Sequence, residues 1–394
     1  MALTQVPPAL LTSTTGTGTT VALSASPTFT GTVTTPSVTF SDASTQTAAA
    51  SPYVLKNRII NGDMRIDQRN AGASVTITAN PQYTLDRWFA GVTLGSKISV
   101  QQNAGSVTPP VGFTKYLGVT SLAATTPGTG DVYYMQQSIE GFNIADLAWG
   151  TANAKTITIS FQVYSSLTGT FGAVILNAGS NRSYPFNYTV SSANTWTSIS
   201  VTITGDTTGT WATDNTTGIQ LRFGLGAGST YQGTAGAWGT ANVVTTTGAT
   251  SVVGTNGATF YITGVQLEIG TSATPFERRL YNQELANCQR YYQVAKSNVN
   301  VASTSSAING IIPLLVQLRS DTITVGKTSG TFSMGDMVST GFTSTSTPTD
   351  SGYLNNSLSV NFNLAGFSGL TTYRTYRHEP NSTNAAIFTI SAEL

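Results

Sequence analysis

Runs in which every second residue is large and apolar fill the middle of this chain, and a period of two admits few folds. Ile157, Ile159, Phe161 and Val163 alternate with Thr156, Thr158, Ser160 and Gln162. Successive side chains of a strand point to opposite faces, so this run reads as a strand with one buried face. Ile199, Val201 and Ile203 repeat the pattern, as do Ile219, Leu221, Phe223 and Leu225. Phe260 and Ile262 share a face, and at Gly264 the parity passes to Val265, Leu267 and Ile269, the mark of a β-bulge. Such strands between Gly/Thr/Asn turns predict a mostly β fold, with residues 53–295 forming one antiparallel β-sandwich. Its long loops, Gly226 to Gly257 among them, have room to carry function.

Three other segments differ in texture. Tyr281, Leu285, Cys288 and Tyr292 recur at the spacing of one helical stripe, with Pro275 ahead of it and Glu277 near its start, which predicts one α-helix closing the sandwich. Residues 296–394 read as a C-terminal β domain with strands on Ile312, Leu314, Val316 and Leu318, on Leu358, Val360, Phe362 and Leu364, and on Phe388, Ile390, Ala392 and Leu394. Ser339 to Pro348 and Asn381 to Asn384 read as its loops. Residues 1–52 are Thr, Ser, Ala, Gly and Pro with one charge, Asp42, and too little apolar surface to offset about 1–2 kcal/mol of backbone entropy per residue. Alone this segment is a floppy tail. Short alternations at Val21-Ala22-Leu23, Phe29 to Val33 and Val38-Thr39-Phe40 allow the alternative, an extended anchor or stalk that orders when three copies wind together.

Charge is scarce, with 18 basic and 17 acidic residues in 394. A net charge of +1 lacks the cationic footprint that phosphate neutralisation requires, which argues against nucleic-acid partners and anionic membrane surfaces. One Cys, Cys288, and one His, His378, exclude an intrachain disulfide and His/Cys zinc sites. The start shows no basic, apolar leader, and no run approaches a membrane span. No cofactor is expected.

Two sets of motifs bracket the sandwich. The opening set is Asn57-Arg58-Ile59-Ile60-Asn61-Gly62-Asp63-Met64, then Ile66-Asp67-Gln68-Arg69 and Tyr83-Thr84-Leu85-Asp86-Arg87-Trp88. The closing set is Gly264-Val265-Gln266-Leu267-Glu268-Ile269-Gly270, Pro275-Phe276-Glu277-Arg278-Arg279, Glu284 and Cys288-Gln289-Arg290-Tyr291-Tyr292. Both sets, in this order, resemble the bacteriophage tail fibres, and Ala25 to Gly31 and Phe40 to Thr47 look like their stalks. The resemblance implies a homotrimeric virion protein, assembled in the host cytoplasm, whose N-terminus docks on a phage tail or baseplate protein. It also implies a jelly-roll sandwich similar to carbohydrate-binding modules, and a distal part facing a host-surface glycan or protein receptor.

Few residues offer catalysis or metal binding. Glycoside cleavage needs two carboxylates roughly 5–9.5 Å apart. Outside the motifs, Asp131 with Glu140 and Asp206 with Asp214 are the pairs available, and such loop acids are more often turn residues. His378 has no Gly-x-Ser-x-Gly partner motif. Asp206 to Gly209 with Asp214-Asn215 offers oxygen ligands to calcium but lacks the bidentate Glu and the acid density of a strong calcium loop, and reads better as Asx turns. Glycan recognition by a neutral protein uses aromatic faces beside amides and hydroxyls. Trp211, Tyr231 and Trp238 have that setting, and so does Tyr373-Arg374-Thr375-Tyr376-Arg377, where Tyr373, Tyr376 and Arg377 are the candidates; packing is the alternative for both groups. The expected function is a tail fibre attaching the virus to its host without catalysis. A tailspike-like depolymerase, a purely structural spacer and a secreted bacterial adhesin are the alternatives.

Overall fold

The computed structural model describes residues 38–39, 45–46, 56–297, 299–336, 338, 341–353, 358–379 and 386–394. The chain divides into two compact units, Met1–Val54 and Leu55–Leu394. In the first, β1 (Val38–Thr39) pairs antiparallel with β2 (Thr45–Gln46). The expected strands around Val21 and Phe29, and the loop Asn381 to Asn384, lie outside the described residues.

The second unit is mostly β. Its strands begin with β3 (Val75–Thr76), β4 (Gln82–Tyr83), β5 (Trp88–Val92), β6 (Ile98–Gln102), β7 (Leu117–Ser121) and β8 (Val132–Glu140). They continue with β9 (Ile157–Ser165), β10 (Gly169–Asn177), β11 (Ser183–Val190), β12 (Thr197–Ile203), β13 (Thr217–Ala227), the short β14 (Gln232–Gly233) and β15 (Thr245–Thr246), and β16 (Thr259–Ile269). Two antiparallel sheets result, ordered β11-β10-β13-β8-β5-β4 and β12-β9-β16-β7-β6-β3. The chain crosses repeatedly between them, as a jelly roll does. The alternation read from the sequence supplies the core: Ile157, Ile159, Phe161 and Val163 of β9 are buried with Ile219, Leu221, Phe223 and Leu225 of β13. Phe161 meets Phe223 edge-on across the sandwich, with ring centroids 5.1 Å apart.

The bulge falls where the parity changes. The β16–β9 register slips between Thr263 and Gln266, and Gly264 has φ of 62°. Before it Phe260 and Ile262 face the core, and after it Val265 and Leu267 do.

The two motif sets clasp each other. Asn57 donates through Nδ2 to the Val265 carbonyl at 3.2 Å, and its Oδ1 accepts the amides of Ile59 and Leu267 at 3.0 and 3.1 Å. Glu277 accepts the amides of Lys56 and Asn57, while Arg279 donates to the carbonyls of Asn57 and Ile59 and pairs with Glu284. Asn61 bridges the Ile66 and Asp86 carbonyls, and Trp88 Nε1 donates to the Asn61 carbonyl at 3.2 Å. Gly62 lies against this seam: a Cβ there would sit 2.2 Å from the Val265 oxygen. These polar residues are therefore fasteners that join the first and last parts of the sandwich.

The closing helix α1 (Tyr281–Gln289) is shorter than the stripe suggested. It buries Glu284 and Cys288, four residues apart, whereas Tyr281 is exposed and Tyr292 already belongs to β17 (Tyr292–Ala295). Glu277 precedes the helix and serves the clasp instead of the helix dipole.

The remaining strands are β18 (Val299–Ala302), β19 (Ile308–Pro313), β20 (Thr324–Lys327), β21 (Phe332–Gly335), β22 (Phe342–Ser344), β23 (Thr349–Tyr353), β24 (Ser359–Leu364), β25 (Thr375–His378) and β26 (Phe388–Ser391). They build sheets ordered β17-β26-β20 and β22-β21-β25-β18-β19-β24-β23 around a second core of Ile308, Phe332, Phe362, Phe388 and Ile390. The strand expected over Ile312 to Leu318 ends at Pro313, and Leu315 beyond it is exposed. Proline cannot donate to a ladder, and the Gln293 side chain takes over, binding the Leu315 amide and the Val316 carbonyl. The C-terminus returns to the sandwich: Glu393 pairs with Arg69 and the buried Arg87, and Tyr83 donates to the Leu394 carbonyl at 2.8 Å.

Candidate functional site

The first aromatic group divides. Trp211 is 7% exposed and meets Trp149 and Trp238 edge-on at 4.7 and 5.6 Å, with Nε1 donating to Asp206 and the Thr208 carbonyl. Trp238 is half-buried, donates to the Thr204 carbonyl at 2.8 Å and carries Arg182 5.8 Å above its ring. Tyr231 is elsewhere, packed with Tyr134 against Val132, Ala227 and Val244. In the second group Tyr376 is 3% exposed, edge-on to Phe342, with its hydroxyl accepting the Thr371 amide. Tyr373 is 86% exposed, and the exposed Arg377 pairs with Glu379. The two tyrosines part, but not as a strand of period three: Tyr376 points into the core from β25, whereas Tyr373 precedes that strand in a turn with φ of 64°.

The carboxylates are engaged in structure. Asp206 receives a two-point contact from Arg182 at 2.8 and 2.5 Å, and hydrogen bonds from Arg182, Thr208 and Trp211 outweigh burial to hold its pKa below the usual range. Asp214 closes an Asx turn on the amide and hydroxyl of Thr216, which lower its pKa. Asp131 and Glu140 stand at opposite ends of β8, about 30 Å apart at strand rise. Glu140 also binds Arg290 at two points and the Tyr291 hydroxyl. His378 is half-buried, packed beside the touching rings of Phe332 and Phe388 at the edge of the second core, where burial lowers its pKa.

The outer face of the second sheet brings together a set that the sequence reading did not single out. Because Ile157 to Val163 point inward, Thr158, Ser160, Gln162 and Tyr164 form the opposite row of β9, beside Ser198, Ser200 and Thr202 of β12. Gln162 and Ser198 exchange hydrogen bonds at 2.7 and 3.0 Å. Beyond them lies an aromatic ladder. Tyr164 stacks on Tyr261 (5.3 Å, 6°), Tyr261 on Tyr116 (5.1 Å, 27°), and Trp196 tilts against Tyr164 and Tyr116 at 5.4 and 5.5 Å. Tyr116 and Tyr261 are buried, leaving Tyr164 and Trp196 half-exposed at the rim, the latter fixed by its Nε1 bond to the Thr108 carbonyl.

At the other end the same row floors a cleft of about 420 Å³, walled by Thr274, Pro275, Phe276, Arg278 and Phe113. The wall is anchored from within the sheet: Glu268 accepts the Thr274 amide and hydroxyl at 2.8 and 2.7 Å, and Gln266 binds the Thr274 carbonyl and the Glu277 amide. Gly264 makes room, since a Cβ there would fall 2.5 Å from the Phe113 ring. The result is a strip of amides, hydroxyls and rings that runs from Trp196 to the cleft beside Phe276. The available signal was Tyr164, a large ring in an otherwise Thr/Ser/Gln outer row; the cleft wall comes from residues far away in sequence.

Fold and strip together define a two-sheet antiparallel β-sandwich with a polar, aromatic outer face. No family model matches the chain, and no curated protein does. Among solved structures, it is similar to the enzymatically active domain of bacteriophage CBA120 tailspike protein 4, with 12% identity, 56% of this chain and 22% of that one covered, and a TM-score of 0.29. It is also similar to a family 11 carbohydrate-binding module from Clostridium thermocellum in complex with a mixed-linked tetrasaccharide (14%, covering 50% and 97%, TM-score 0.27). A third similarity is to a putative sugar-binding protein from Bacteroides thetaiotaomicron (12%, covering 55% and 100%, TM-score 0.32). The chain thus spans about a fifth of the tailspike structure.

Proposed function

We propose that this protein is a phage tail fibre that attaches the virion to a host-surface glycan through the strip on its second sheet. The observation that carries the glycan reading is the union of the half-exposed Tyr164 and Trp196 rings with the Gln162, Ser198, Ser160 and Ser200 hydrogen-bonding row on one face of the second sheet, next to the cleft. Sugar rings offer C–H faces to aromatic planes and hydroxyls to amides and hydroxyls. The virion role, the homotrimer and docking through the N-terminal segment rest on the motif resemblance. A role without catalysis is supported by the separation of Asp131 from Glu140 and by the ties of Asp206 and Asp214.

The test is adsorption of the full chain to host cells and to their extracted polysaccharide, comparing wild type with the double variant Tyr164→Ala/Trp196→Ala. The expected result is loss of about tenfold or more in affinity, as when central aromatic anchors are truncated. Wild-type binding by the folded double variant overturns the site, and new reducing ends in the polysaccharide favour the depolymerase. Light scattering at three times the 41.1 kDa chain mass is expected for the trimer.

A further inference from the structure

Among the described residues, Arg278 is the only charged one lining the cleft. Its guanidinium carbon lies 4.8 Å from the Phe113 ring centroid and 5.7 Å from that of Phe276, and those two rings stand 5.2 Å apart at 64°. Stacking on rings holds a guanidinium through its face, which leaves its fork of N–H donors for an in-plane acceptor. Among the described residues no carboxylate pairs with it. The acids nearest in sequence are committed elsewhere, Glu277 to the amides of Lys56 and Asn57 and to Arg279, Glu284 to Arg279 and the Asn61 amide, and Glu268 to Thr274. The cleft therefore offers one exposed cation, beside two rings and with no carboxylate paired to it among the described residues, at the end of a neutral strip of hydrogen-bonding groups.

From this placement we infer that the strip selects an acidic glycan, with Arg278 binding the anionic group of one sugar while Tyr164 and Trp196 stack against its neighbours. The inference rests on the glycan-binding reading and names the class of glycan. A planar carboxylate matches the arginine fork at two points, as in uronic acids, and a sulfate or phosphate ester offers the same paired oxygens. One cation in a neutral strip suits a chain with an acid at intervals better than a uniformly charged one, because adjacent anions would meet no partner.

The experiment titrates the full chain against bacterial surface polysaccharides that are neutral, uronate-bearing or sulfated or phosphorylated, and against carboxyl-reduced forms of those that bind. The expected result is that bound polysaccharides carry an anionic sugar and that Arg278→Gln weakens them by about ten- to a hundredfold. Arg278→Lys should fall between, since it keeps the charge and loses the fork. Carboxyl reduction should cost wild type the same factor and Arg278→Gln almost nothing; affinity that survives reduction in esterified chains identifies the ester as the anion. Binding confined to neutral chains, or equal binding by Arg278→Gln, overturns the inference and leaves glycan binding standing if Tyr164→Ala/Trp196→Ala still abolishes it. Absence of binding to any polysaccharide overturns both. Circular dichroism confirms that each variant is folded.

Discussion

Replacing Glu393 with Gln removes one charge from the point where the C-terminus meets the sandwich, and its cost follows from what is left behind. Glu393 has a 6% exposed side chain and serves two guanidinia, those of Arg69 and of Arg87, the second only 1% exposed. Losing one partner of a buried ion pair costs about 3–5 kcal/mol, because the other charge stays desolvated. Here Arg87 keeps its bond to the Ser138 carbonyl at 2.5 Å and its seat 3.5 Å from the Tyr291 ring, and glutamine retains one acceptor oxygen. The expected loss is therefore at the lower end, about 3 kcal/mol, which at an m-value of about 3 kcal/mol/M lowers the urea midpoint by about 1 M. All five tryptophans, Trp88, Trp149, Trp196, Trp211 and Trp238, lie in the sandwich, so their fluorescence reports on the part that does not contain residue 393. If the junction couples the two cores, that signal shifts together with far-UV circular dichroism. In the double variant Glu393→Gln/Arg87→Met the two losses should fall short of their sum by about 1 kcal/mol or more. A tryptophan transition that moves by less than about 0.3 M, or strict additivity, would refute the reasoning.

Two groups, the buried Asp86 and the half-buried His378, should give stability opposite dependences on pH. Burial raises the Asp86 pKa from 3.8 to about 6, so its contribution is fully present in acid and is lost as pH rises through 6, about 3 kcal/mol in all. Burial lowers His378 below 6.5, so its contribution is present above that value and is lost as pH falls. Urea midpoints at pH 7.5 and 5 should therefore show a smaller acid loss in His378→Gln than in wild type, and a smaller acid gain in Asp86→Asn; the reverse signs would contradict the assigned burial. Trp211→Ala should cost about 3–5 kcal/mol of stability, since it empties the centre of the three-tryptophan cluster, and a folded, fully stable variant with impaired adsorption would instead restore Trp211 as a contact residue.

Much of the architecture was legible because the strands alternate. The period of two in Ile157 to Val163 fixes which row is buried wherever that segment ends up, and the parity change at Gly264 locates the bulge without knowledge of its partner. Short or mixed signals were less dependable. The helical stripe at Tyr281 to Tyr292 ran into a strand because apolar spacing alone does not say where a helix stops, and the apolar alternation continues to Leu318 although the last ladder bond is that of the Leu314 amide to the Leu358 carbonyl. Trp211 lies among Gly and Thr yet is buried, since a loop can fold its ring inward over an open sandwich end as readily as it can present it, and Tyr376 is buried because it falls on the inward row of β25.

Composition and periodicity by themselves determined the class of fold, the inward rows and the neutral, hydroxyl-rich character of the outward ones, because burial and side-chain alternation are local properties of each strand. Which outward residues become neighbours was decided only by tertiary structure. Tyr164 of β9, Tyr261 of β16 and Trp196 just ahead of β12 meet through the antiparallel pairing of β9 with both strands, and Phe113 meets Arg278 only because buried Glu268 and Gln266 fasten the turn at Thr274 over the sheet. Contacts between distant segments depend on register and on the clasp between Asn57 and Glu277, and neither leaves a period in the sequence to be read.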